Sequence, residues 1–168
     1  ERLRTRVRTA GERGIYVSVM LFEGWAMQFS GGAWEGHPFH PANNTDGIDG
    51  DANGDGKGLE VHTLANKAVT ALQEAYVRKV VDTVNDLDNV LYEIINEGGS
   101  LQWQTHMVER LHEYERSKPK QHPVGITSCA PWIRNAQVVA GASDWHSPVS
   151  QPSSWGRPET PLIEDYRQ

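Results

Sequence analysis

The stretch Asn89–Ser100, "NVLYEIINEGGS", carries the reading of the fold. Val90, Leu91, Tyr92, Ile94 and Ile95 are good sheet formers, and a short run this apolar fits a strand buried on both faces. It stops on Asn96-Glu97 and two glycines, where a ligand or another backbone can come close. Working outward, residues 64 to 87 predict a helix with Val69, Leu72, Tyr76, Val80, Val84 and Leu87 on one stripe. A second helix is expected over about 101 to 117, with Trp103, Met107, Leu111 and Tyr114 on one face and Ser100 as its N-cap. Upstream, "IYVSVMLF" (15–22) predicts another strand buried on both faces, preceded by the end of a helix over 3–12. Downstream, "PVGITS" (123–128) and "ASDWHS" (142–147) read as strands, Pro131 as the start of a short helix and the tail from Ser147 as loop.

Strand and helix therefore alternate, which calls for parallel strands joined by right-handed crossovers. The sheet can be an open doubly wound one or part of a barrel. An open nucleotide-binding sheet usually carries a glycine-rich turn after its first strand. Here "EGWAMQFSGG" follows, with neither G-x-G-x-x-G nor a phosphate loop, which disfavours a nucleotide-binding domain. A complete eight-stranded barrel needs ~250 residues. The barrel reading thus makes residues 1–168 a single partial (β/α)8-barrel domain, with a long loop over 23–62. A loop that long is usually functional or disordered.

Composition narrows the rest. A formal charge of −6 argues against nucleic acid as the main partner, and the opening arginines (2, 4, 6, 8 and 13) read as a solvated helix face. No apolar run approaches the ~20 residues of a membrane helix. Cys129, the only cysteine, excludes an internal disulfide and a multi-cysteine zinc site. No signal peptide is visible in a sequence that opens at Glu1.

In parallel α/β proteins the C-terminal strand ends face the ligand. A carboxylic acid at the floor of such a crevice is partly desolvated, which favours the neutral form a general acid needs. Glu97 has that place, and Asn96 can hydrogen-bond a substrate hydroxyl. The alternative is that Glu97 merely caps the following helix. Glu93 shares the side-chain parity of Glu97 and is expected to face inward, in a structural role.

"NVLYEIINE" resembles the fourth strand of the clan A glycoside hydrolases, cellulase-like ones above all. The likeness extends to "HPFHPANNTDGIDGD", "GLEVHTL" and "KQHPVGITS", over roughly residues 14 to 147. The resemblance implies a (β/α)8 barrel of which this chain holds strands three to six. It implies a glycosidase cleaving O-glycosidic bonds by a two-carboxylate, usually retaining mechanism, with Glu97 as acid/base. The nucleophile would stand at the end of strand seven, outside this chain, so the piece alone can be inactive. Oligo- or polysaccharide is the implied substrate, no cofactor is required, and export to the periplasm or medium fits such an enzyme. A catalytically silent carbohydrate-binding protein on the same scaffold is the alternative. Glu23 also ends an apolar strand and can neighbour Glu97 as a charge, a substrate contact or a second carboxylate.

The long loop adds candidates. "DGDANGDGKGLE" (49–60) fits D-x-[DN]-x-[DN]-G-x5-E, so Asp49, Asp51, Asn53, Asp55 and Glu60 can ligate a structural calcium ion. The motif lacks a preceding helix and has Gly56 at its eighth position, so an acidic turn without metal is the other reading. His37, His40, Asn43 and Asn44 either bind sugar hydroxyls or brace the loop; with His62 they match no transition-metal signature. Among six tryptophans, Trp103 belongs to a helix core. Trp25, Trp34, Trp132 and Trp145 fall near strand ends, where an indole can cover a pyranose face. Asp144, Trp145 and His146, at the expected end of the last strand, complete the substrate contacts.

Overall fold

A computed structural model describes residues 1–128 and 133–147. Pro131, Trp132, Cys129 and the tail after Ser147 lie outside the described residues. The elements are α1 (Arg2–Gly11), β1 (Val17–Glu23), α2 (Trp25–Phe29), α3 (Lys67–Val84), β2 (Val90–Asn96), α4 (Leu101–Glu115), β3 (Val124–Thr127), α5 (Asn135–Val139) and β4 (Trp145–Ser147). Short 3-10 turns occupy Pro41–Asn43 and Leu59–His62. The protein is an α/β fold whose four strands are all parallel, in the spatial order β1-β2-β3-β4, and alternate with helices. No helix among the described residues is long and apolar enough to cross a membrane.

β2 has the expected bounds, and Val90, Tyr92, Ile94 and Ile95 are buried. β1 departs from expectation. It is an edge strand of the sheet among the described residues, and while Val19 and Leu21 are buried, Ser18 and Met20 are exposed. Only one face of β1 is therefore covered along its middle. The main core joins Val19, Leu21, Val90, Tyr92, Ile94, Val124 and Ile126 to Val77, Val80, Val81 and Val84 of α3 and to Trp103, Met107 and Leu111 of α4.

α3 starts at Asn66, whose Oδ1 accepts from the N–H groups of Ala68 and Val69. Val69, Val80 and Val84 of the stripe expected from apolar spacing are buried, but the middle of that stripe is not. Leu72 and Tyr76 are 41% and 46% exposed, while Gln73 and Val77 are buried. The reason is a polar relay. The indole N–H of buried Trp103 donates to Gln73 Oε1 at 2.9 Å, and Gln73 Nε2 donates to the Val61 carbonyl at 2.7 Å. A buried Trp needs an acceptor, and an unmet buried donor would cost about 1–3 kcal/mol. α4 begins as expected, with Ser100 Oγ accepting from Trp103 N–H.

The long loop is ordered around its own small core of Trp34, Val61 and Val69, with Met27, Phe39 and Ile48 packed against it. It also contains α2, a five-residue helix that neither an apolar stripe nor a capping residue announced.

Candidate functional site

At the C-terminal end of the sheet, Glu23 of β1 pairs in register with Asn96 of β2. Asn96 Nδ2 donates to Glu23 Oε1 at 3.4 Å, and both Glu23 oxygens accept from Ala26 N–H at 3.0 and 3.2 Å. The expected neighbourhood of β1 and β2 is therefore present, and the carboxylate at the β1 end is anchored on the first turn of α2.

Glu97 follows at once and is half-buried. Its backbone has φ 43°, the only non-glycine in the left-handed region among the described residues. That conformation costs a non-glycine residue about 1 kcal/mol and persists only where the surroundings impose it. Its carbonyl accepts from Gln28 Nε2 at 2.6 Å. Among the described residues its carboxylate has no hydrogen-bond or ion-pair partner. Glu93, four residues back, is buried and accepts from Thr127 Oγ1 at 2.8 Å, which satisfies the inward acid as expected of a structural group.

Two cavities adjoin these strand ends. One of about 330 Å³ is walled by Gly24, Met27, Gln28, Leu59, His62 and Gly99. The other, about 590 Å³, is mainly apolar, with Phe22, Glu23, Met27, His37, Leu72 and Tyr76 in its walls. Met27 and His62 belong to both. Glu97 lines neither; Gln28, which holds its carbonyl, and Gly99 line the smaller one. His62 is buried, and burial followed by the neighbouring His37 pushes its pKa down to about 3. Burial also lowers His37. Both rings are therefore neutral at neutral pH. His37 Nδ1 accepts from Phe39 N–H at 3.1 Å, which leaves the ring proton on Nε2.

The loop candidates divide. Asn43 Nδ2 donates to the Glu35 and His37 carbonyls. Asn44 Nδ2 donates to the carbonyls of Pro38, His40 and Ile48, and its Oδ1 accepts from Ile48 N–H. His40 Nδ1 accepts from Ala42 N–H. These groups brace the loop. Trp34 is buried with its ring stacked on His37, so it is core rather than platform. Trp25 is 46% exposed on α2, 5.8 Å from the Phe29 ring, and presents an open aromatic surface.

The last strand is placed differently from the sequence reading. Asp144 precedes β4 and lies at its start, bonded through its N–H to the Val124 carbonyl and through Oδ2 to Val124 N–H and His112 Nε2. Val124 is level with Tyr92, so Asp144 sits four residues, about 13 Å, short of the Asn96 end. Trp145 is level with Glu93, its indole laid over Gly125, and its Nε1 is buried with no hydrogen-bond partner among the described residues. His146 Nδ1 lies 3.2 Å from Ser143 Oγ. This trio does not converge on Glu97. A three-residue strand gave the sequence reading no means of fixing which end was which.

In the acidic loop, Asp51, Asp55 and Glu60 each bring a carboxylate oxygen within 4.8 Å of the others, an arrangement that can hold a divalent cation. Asp49 and Asn53 also bond within the loop. Asp49 Oδ1 accepts from Asp51 N–H, and Asn53 Nδ2 donates to Glu60 Oε1 at 2.8 Å. Asp51 accepts from the N–H groups of Asp55 and Gly56, so the turn is built around Asp51, not Asp49. Glu60 Oε2 is buried with no hydrogen-bond partner among the described residues.

Sequence reading missed Gln28, since a lone glutamine in a loop carries no motif. No protein-family model, no curated protein and no solved structure matches this chain.

Proposed function

We propose that this chain is a segment of a cellulase-like (β/α)8-barrel glycoside hydrolase of clan A, in which Glu97 is the general acid/base. The observation that carries the reading is Glu97 itself. An acid held at a parallel strand end in a costly backbone conformation, its carboxylate without a partner among the described residues, has no structural task evident among them. Strained residues of this kind gather at active sites.

The strand order supports the barrel: β1 to β4 run in sequence without the reversal that marks a doubly wound sheet. So does the bare middle of β1, because parallel sheets normally have both faces covered. Oligo- or polysaccharide is the substrate class. Asn96 beside the acid supplies a polar contact, and exposed Trp25 a surface for a sugar ring. The nucleophile belongs to a later strand, outside this sequence. No cofactor takes part in the chemistry. In the same reading the loop of Asp49, Asp51, Asn53, Asp55 and Glu60 holds a structural calcium ion, favoured by the grouped carboxylates of Asp51, Asp55 and Glu60 and by a buried Glu60 oxygen with no hydrogen-bond partner among the described residues.

The test is Glu97→Gln in the full-length protein, assayed on soluble β-linked oligosaccharides. Hydrolysis falls at least about 100-fold while sugar binding persists. Undiminished turnover excludes Glu97 as the acid. Binding without turnover in the parent as well makes the protein a carbohydrate-binding one on this scaffold.

A further inference from the structure

We infer that residues 23–28 form a clamp that sets the conformation of residues 96–98, with Gln28 as a positioning residue for Glu97. Four contacts join the two segments. Gly24 N–H donates to the Asn96 carbonyl at 2.9 Å, and Asn96 Nδ2 donates to Glu23 Oε1. Gln28 Nε2 donates to the Glu97 carbonyl at 2.6 Å, the shortest of the set. Between them the backbones of Gly24 and Gly98 touch: a methyl carbon on either would stand 2.7 Å from the Cα of the other, nearer than real Cβ atoms come. A methyl carbon on Gly98 would also stand 2.9 Å from Gln28 Nε2. Both glycines are thus needed for α2 to reach the strand end.

The physical logic runs through φ at Glu97. A glutamate relaxes out of the left-handed region unless held. The Gln28 amide holds the peptide that leaves Glu97, and the Gly24–Asn96 bond holds the residue before it. Fixing both sides fixes the direction of the Glu97 Cα–Cβ bond. Glu23 is kept in line by the Ala26 N–H, so the clamp is rooted in α2 and not in a free loop. A displacement of an acid by about 1 Å can cost about 100-fold in rate, which is the scale on which such a hold matters. The catalytic half of this inference rests on the reading of Glu97 as the acid; the conformational half does not.

The experiment uses Gln28→Met in the full-length protein, which keeps the length of the side chain and removes the donor. Three measurements are made: the crystal structure of the variant, kcat and KM on β-linked oligosaccharides, and the same constants in the Glu97→Gln background. The clamp predicts that Glu97 leaves φ 43°. It predicts that kcat falls about tenfold with KM nearly unchanged, and that no further loss occurs on top of Glu97→Gln. Full activity in Gln28→Met with an inactive Glu97→Gln overturns the positioning role while leaving the acid in place. So does a loss that simply adds to that of Glu97→Gln. If Glu97→Gln is itself as active as the parent, the acid reading fails, and the crystal structure then decides: Glu97 unmoved in Gln28→Met overturns the clamp too. Gln28→Ala gives the same readouts should the methionine variant not fold.

Discussion

The two ends of the parallel sheet each carry a glutamate, and they treat it in opposite ways. At the N-terminal end, Glu115 is wholly buried. Its oxygens accept from Asn85 Nδ2 and His122 N–H at 2.8 Å each, and His122 Nδ1 lies 2.8 Å from Oε1. The other ring nitrogen of His122 faces the Leu87 carbonyl at 2.8 Å, and Asn85 also bridges to Lys120. The end of α4, the start of β3 and the turn before β2 are tied at one point. At the C-terminal end Glu97 is half-buried, its backbone is strained, and its carboxylate engages nothing among the described residues. A saturated buried network specifies the fold; no such network surrounds Glu97 among the described residues.

That contrast is sharpest in stability. Glu115→Ala strands His122 and Asn85 in the core and should lower the unfolding free energy by about 3 kcal/mol, read from urea melts. Glu97→Ala should change it by about 1 kcal/mol at most. Comparable losses at both ends would erase the distinction.

Next in size is pH. His62 belongs to the C-terminal end, and its pKa falls from 6.5 to about 3 on folding. Between those values the unfolded chain binds a proton that the folded chain refuses, so stability drops as pH falls below about 6.5. From pH 7 to pH 5 the loss should be about 2 kcal/mol, with lowered His37 acting in the same direction. A His62→Phe variant should lose most of that slope in melts at the two pH values; a parent-like slope would remove His62 as its source.

Smaller still is the release of strain. Glu97→Gly suits φ 43° and should raise stability by about 1 kcal/mol, whereas Glu115, in a regular helix, has no such backbone strain to release. A destabilised Glu97→Gly would mean that the side chain packs structurally. Smallest is metal. At a calcium concentration equal to its Kd the ion adds about 0.4 kcal/mol, seen as a modest rise in Tm that Asp51→Asn and chelator both abolish. A Tm indifferent to calcium at millimolar levels would leave Asp51, Asp55 and Glu60 as an acidic turn.

The sheet was readable because β2 lies between covered faces: apart from Glu93, Val90 to Ile95 is apolar, and Asn96-Glu97 marks its end in one step. The helices were readable from caps and spacing, since Ser100 caps α4 as its sequence proposed. The middle of the core-facing side of α3 was not, because Gln73 is buried for the sake of Trp103, and pattern alone counts glutamine as surface. The site was half readable. Glu97, Asn96 and Glu23 follow from strand ends, but Gln28 and α2 depend on backbone contact at Gly24 and Gly98, which leaves no periodic trace. Asn43 and Asn44 have the chemistry to bind a sugar, and only the fold shows their amides turned onto the carbonyls of their own loop.

Proton delivery from residue 97 is the central step of the proposed reaction. The most direct measurement is kcat/KM of Glu97→Gln in the full-length protein on two substrates with the same glycone, one leaving as a sugar and one as 2,4-dinitrophenolate. A sugar alkoxide needs a proton as it departs and the phenolate does not, so the loss should be at least about 100-fold for the first and under about tenfold for the second. Equal losses on both substrates, or none on either, would contradict it.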